Sequence, residues 1–129
     1  MRVSLIQSGL LLLAIALTGC GETAKDVPKL GTVTGVVTLD EKPLAGANVQ
    51  FIPENSRPST AITAADGKYT LRFNEKLNGA AIGSHKVRIT SAKTAEEPEK
   101  LPAKYNMRSD LTANVVAGAN QFNFDLKSK

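Results

Sequence analysis

The sequence predicts an all-β protein, a sandwich of antiparallel strands behind an apolar leader. Three observations predict it. From Leu30 onward, apolar and polar residues alternate with a period of two, in runs rich in valine and threonine, which is the pattern of half-buried strands. Proline, glycine, aspartate and asparagine punctuate these runs at short intervals, as turns require. After the leader no run of ten or more residues carries the 3.6-residue period of an amphipathic helix. Seven such runs in roughly a hundred residues suit two packed sheets.

The first run places Val33, Gly35, Val37 and Leu39 on one face and Thr32, Thr34 and Thr38 on the other. Asp40-Glu41-Lys42-Pro43 ends it with turn chemistry. Ala47, Val49 and Phe51 then alternate with Asn48 and Gln50 until Pro53. Ser59 to Ala64 is a shorter, weaker strand. Asp66-Gly67 is a hairpin signal, followed by Tyr69, Leu71 and Phe73 facing inward. His85, Val87 and Ile89 alternate with Lys86, Arg88 and Thr90. Leu111 to Ala117 forms the sixth strand, with Leu111, Ala113 and Val115 inward. Gly118-Ala119-Asn120 turns the chain into the seventh, where Phe122, Phe124 and Leu126 face the core. The predicted core is therefore Val33, Val37, Leu39, Val49, Phe51, Tyr69, Leu71, Phe73, Val87, Ile89, Val115, Phe122, Phe124 and Leu126, because a one-residue slip would expose a whole set.

Ahead of this body, Gly9 to Leu17 is hydrophobic apart from its leading glycine, with Arg2 in front and Cys20 directly behind. Nine residues make a helix of roughly 14 Å, too short for a bilayer that needs about 20 residues. Leu17-Thr18-Gly19-Cys20 resembles a bacterial lipobox. That resemblance implies that residues 1–19 are a signal peptide, helical in its apolar part, and that Cys20 carries lipid at the mature N-terminus. The competing cut at Ala14-Ile15-Ala16 would fall almost inside the apolar run and leave Cys20 as a free thiol. Cys20 to Lys29 then reads as a lipidated N-terminus and polar tether, and 30–129 as the sandwich.

Two further runs carry a second resemblance. Val33 to Ala47 (VTGVVTLDEKPLAGA) and Thr63 to Leu71 (TAADGKYTL) are similar to the opening and middle of carboxypeptidase regulatory-like domains. Gly83 to Ile89 and Leu101-Pro102-Ala103-Lys104-Tyr105 match as well. The resemblance spans roughly residues 31–126 and implies a seven-stranded, transthyretin-like (prealbumin-like) Greek-key sandwich acting as an accessory module. Glu41 stands where that family usually has glycine, which points to a different turn there. Ala64 and Ala65 replace its usual acidic position, which weakens a calcium reading of the turn.

The chemistry available is narrow. With one histidine (His85) and one cysteine among 129 residues, the zinc-protease and thiol-redox motifs are missing, and a Ser-His-Asp triad would need His85 beside a buried carboxylate. The glycine-rich phosphate loops are missing from the sequence too. His85 has Val87 and Ile89 as neighbours on its face, so it reads as a partly buried strand residue. Asp40, Glu41, Glu54, Asp66, Glu75 and Asp110 fall in turns, where carboxylates usually bond their own backbone. No catalytic residue, metal site or cofactor is expected. A net charge of +4 without a basic cluster argues against nucleic acid. Lys68 with Arg72 and Lys86 with Arg88 would form a basic stripe if their strands shared a sheet.

The longest stretch without a period is Ser91 to Asp110. Its first half, Lys93 to Lys100, is charged and expected to be mobile. Its second half offers Leu101, Pro102, Tyr105 and Met107 as apolar anchors. Leu101 and Tyr105 are expected to pack on the sandwich edge, leaving Lys104 and Arg108 displayed. Lys104, Tyr105 and Arg108 are thus the candidate partner-binding loop, and the alternative is that the segment only seals a sheet edge. The function expected is a non-catalytic, lipid-anchored binding or structural module of the cell envelope, facing periplasm or surface, held to the membrane through Cys20. Its partner would be an envelope protein or glycan. The alternative is an accessory carbohydrate- or metal-binding domain serving an envelope enzyme or uptake complex.

Overall fold

Strand β1 (Leu30–Leu39) organises one sheet of the sandwich, because both of its edges are occupied along most of its length. In the computed structural model, residues 27–94 and 96–129 are described. The expected signal peptide, with Leu17, Thr18, Gly19 and Cys20, lies outside the described residues. Along one edge β1 pairs antiparallel with β6 (Ala80–Ala81), β5 (Lys68–Thr70) and β2 (Lys42–Pro43). Along the other it pairs with β9 (Ala119–Gln121) and β10 (Phe124–Leu126). The second sheet has the order β4 (Ser59–Ile62), β3 (Asn48–Pro53), β7 (Gly83–Thr90), β8 (Thr112–Val115), all antiparallel. The only helical turn among the described residues is a 3-10 turn at Ala103–Tyr105.

The fold is the expected all-β sandwich, with the chain crossing between sheets in Greek-key fashion: β3 and β4 in one, β5 in the other, β7 back beside β3. The seven expected strands all form, and β2 and β6 are two-residue additions. Two details differ from the sequence reading. The last strand runs parallel to β1, not antiparallel. Period-two alternation sets which face is buried but carries no information on strand direction. The strand is also interrupted at Phe122-Asn123, where the Asn123 Oδ1 accepts from the Val36 N–H at 3.0 Å in place of a backbone carbonyl. Second, Asp66-Gly67 turns the chain, yet β4 and β5 enter opposite sheets. After Leu71 donates to the Val33 carbonyl, Arg72 pairs with Thr60 of β4, so this segment closes one side between the sheets.

Between the sheets lie Val33, Val37, Val49, Phe51, Leu71, Val87, Ile89 and Val115, all fully buried, with Tyr69 and Leu126 nearly so. Leu39, Phe122 and Phe124 are half-buried rather than central. Phe51 is the hub, with ring centroids of His85, Phe122 and Phe124 at 5.6, 5.8 and 6.3 Å. Gly35 lets the last strand pass. A Cβ there would sit 1.8 Å from the Phe122 carbonyl oxygen, the same oxygen that accepts from the Tyr69 hydroxyl at 2.6 Å. Burial pushes the pKa of that hydroxyl up, so it stays a donor. Asp40 and Glu41 take φ of 50° and 72°, a left-handed pair that matches the tight β1–β2 turn. Glu41 therefore occupies a conformation that favours glycine.

The strand directions define two poles. Val27, the first residues of β1 and β7, the end of β3 and the turns around 55, 76 and 117 lie at the entry pole. The 40–46 and 63–67 turns, the start of the 91–110 segment and the C-terminus lie at the opposite, distal pole.

Candidate functional site

Strand β7 loses its β8 partner after Lys86, because the β7–β8 ladder ends at Lys86↔Thr112. Its remaining edge, Val87 to Ser91, is completed by the 91–111 segment. The Val87 N–H donates to the Leu111 carbonyl at 2.9 Å, and the Ser109 hydroxyl donates to the Val87 carbonyl. Asn106 Nδ2 donates to the Ile89 carbonyl at 3.2 Å. The Ser91 N–H donates to the Glu99 carboxylate, at 2.8 Å to Oε2. Positions 87, 89 and 91 face the same side, so one backbone carbonyl and the side chains of Ser109, Asn106 and Glu99 supply in sequence what a further strand would have supplied from its backbone. An open edge is a template for unwanted pairing, and here it is closed.

Within that cover, Leu101 and Tyr105 pack into the core as expected. The Tyr105 hydroxyl accepts from the Lys127 N–H at 2.9 Å, tying the segment to the end of β10. Of the three candidate partner-binding residues, Tyr105 is thus a structural anchor, not a displayed one. Lys104 is exposed, with Nζ 5.2 Å from the Tyr105 ring centroid. Arg108 is exposed and carries no side-chain partner among the described residues. Met107 is 82% exposed, contrary to its expected role as an anchor, because buried Asn106 and Ser109 on either side occupy the inward positions. The charged half is also more structured than expected. Glu99 gathers bonds from Ser91, Ala92 and Leu101, and Glu97 accepts from the Lys93 N–H. Burial alone would raise the Glu99 pKa, but these hydrogen bonds outweigh it and hold it below the ordinary range.

Asn106, Ser109 and Glu99 were not singled out from the sequence. The available signal was polar residues with good acceptors and donors in an unperiodic segment directly after a strand.

The remaining candidates separate. His85 is buried, with Nε2 2.6 Å from the Ala81 carbonyl and no partner on Nδ1. It borders an open groove of about 740 Å³ that also includes Pro28, Ile52, Glu54 and Ile82. Of the turn carboxylates, Asp66 bonds locally, accepting from the Lys68 N–H. Asp40 accepts from Ser128, and those bonds hold its pKa below the usual value. The described residues contain no group of three His, Cys, Asp or Glu placed to hold a metal ion. The basic stripe does not form, because β5 and β7 belong to different sheets. Arg72 turns to the Glu75 carbonyl, and Arg88 Nε donates to the Asn106 carbonyl at 3.0 Å.

No protein-family model matches the chain, and no curated protein matches it. Among solved structures it is similar to a DUF3823 family protein from Parabacteroides merdae, at 14% identity and a TM-score of 0.44. The likeness covers 78% of this chain and 47% of that one, so the chain spans about half that protein's length. The sandwich assignment rests on the strand pairing itself.

Proposed function

We propose that the chain is a non-catalytic cell-envelope module of the carboxypeptidase regulatory-like type, anchored by lipid on Cys20 and presenting its distal pole to an envelope partner. The observation that carries this reading is the position of Cys20. It follows an apolar run too short to span a bilayer and precedes β1 by only nine residues. Two or three acyl chains give durable attachment where one does not. The poles support the display role: the tether enters at one end, and the Lys104–Arg108 cover reaches toward the other, on a scaffold whose edge it rigidifies.

Fractionation tests the anchor. The native chain should sediment with membranes, and Cys20→Ser should lose the acyl chains and that durable association. A Lys104→Ala, Arg108→Ala double variant tests the display. Cross-linking in intact cells should lose its adduct while the melting temperature stays unchanged, and an unchanged adduct would limit the segment to edge cover.

A further inference from the structure

We infer that the entry pole of the sandwich rests on the surface of an anionic bilayer, with Ile82 and Val116 contacting the lipid. This rests on the lipid anchor proposed above. Three large apolar side chains are exposed at this pole: Val27 at 40%, Ile82 at 41% and Val116 at 52%. Ile82 and Val116 are brought together by the strand register, whereas Val27 borders the separate groove of Asn55, Arg57 and Phe73. The β7–β8 register pairs Gly83 with Val115, so Ile82 and Val116 face each other one step beyond the ladder. The Ile82 N–H donates to the Lys29 carbonyl at 3.1 Å, which ties Ile82 to the segment leading into β1. The Val116 carbonyl packs over Gly31, 2.2 Å from where a Cβ would be, so the patch is held rigidly at the start of β1.

The length of chain outside the described residues selects the occupant. From Cys20 to Val27 the chain can extend at most about 25 Å, whereas β1 alone, at ten residues, is roughly 33 Å long. A lipid on Cys20 therefore keeps the entry pole within about 25 Å of the headgroups. Charge is complementary: exposed Lys29, whose carbonyl accepts from Ile82, and Lys86 outnumber Glu54 around Ile82. Cations near an anionic leaflet add to apolar contact there.

Four single-cysteine variants of the full lipidated chain decide it: Ile82→Cys, Val116→Cys, and the controls Ile62→Cys and Met107→Cys, both exposed and further along toward the distal pole. Acylated Cys20 does not react with a thiol-directed fluorophore. Each labelled protein is placed in vesicles of phosphatidylethanolamine and phosphatidylglycerol, with and without a lipid carrying a quencher at its headgroup. Fluorescence at positions 82 and 116 should fall at least about twofold while the controls change little. Vesicle-bound protein with no quenching at 82 and 116, or equal quenching at all four positions, overturns the docking and leaves the anchor standing. A missing acyl mass on Cys20 overturns both. Shielding at 82 and 116 that grows with protein density would assign the patch to a second copy and overturn the proposal. Quenching unchanged when phosphatidylcholine replaces phosphatidylglycerol overturns the part played by the basic rim.

Discussion

Replacing Asn106 with alanine removes the centre of the edge cover and leaves the strands themselves intact. Its side chain donates to the Ile89 carbonyl at 3.2 Å and to the Pro102 carbonyl at 3.3 Å. It also accepts from the Met107 N–H at 2.8 Å. The residue is only 4% exposed, so water cannot readily replace the bond to Ile89. A buried group left unpaired costs about 1–3 kcal/mol, and the two partly buried groups cost less, giving roughly 2–3 kcal/mol in all. With a urea dependence near 1–1.5 kcal/mol/M for a domain of this size, the midpoint should drop by about 2 M. The melting temperature should fall by about 10–20 °C. Equilibrium urea unfolding followed by circular dichroism measures this directly. Because the loss uncovers β7, the variant should also self-associate more at matched concentration. A stability change under about 0.5 kcal/mol, with no added association, would refute the claim that this segment acts as a substitute strand.

The aromatic core is graded: Phe51→Ala should cost about 3–5 kcal/mol, and Phe124→Ala, half-buried at the rim, about 1–3 kcal/mol in the same assay, with equal losses contradicting Phe51 as the hub. Glu41→Gly should raise stability by up to about 1 kcal/mol, since relief of the left-handed strain exceeds the entropy cost of glycine and of losing a solvent-exposed ion pair with Lys127. A loss of stability would mean the turn is not strained at that position. Glu99 is held ionised below the ordinary carboxylate range. Its stabilisation is thus present above the unfolded-state pKa and lost as pH falls through the lower folded one. Glu99→Gln should therefore flatten the acid limb of the stability profile, and an unchanged limb would remove Glu99 from the account.

Most strands were legible because β-branched residues alternate over a half-buried surface, as Val33 and Val37 against Thr32 and Thr34 do in β1. Strand direction was not legible, since the parallel match of β10 to β1 joins residues more than eighty positions apart and leaves no local trace. Phe122 and Phe124 fit the alternation yet sit at the rim, because the Asn123 side chain breaks the ladder between them. The edge cover was legible only in its anchors, Leu101 and Tyr105. Its working parts are side chains bonding to backbone, and Asn106, Ser109 and Glu99 obey no period. Tyr105 was legible as an anchor by its ring, whereas the bond its hydroxyl accepts from the Lys127 N–H left no trace in the sequence. The proposed anchor rests on the sequence alone, on the order of apolar run, Cys20 and tether.

The mass of the mature N-terminus tests the central claim most directly. Intact mass spectrometry of the chain purified from membranes should give a species beginning at Cys20, heavier than the polypeptide by a diacylglycerol or a diacylglycerol and one further acyl chain. An unmodified species beginning at Leu17, or one retaining residues 1–19 without lipid, would contradict it.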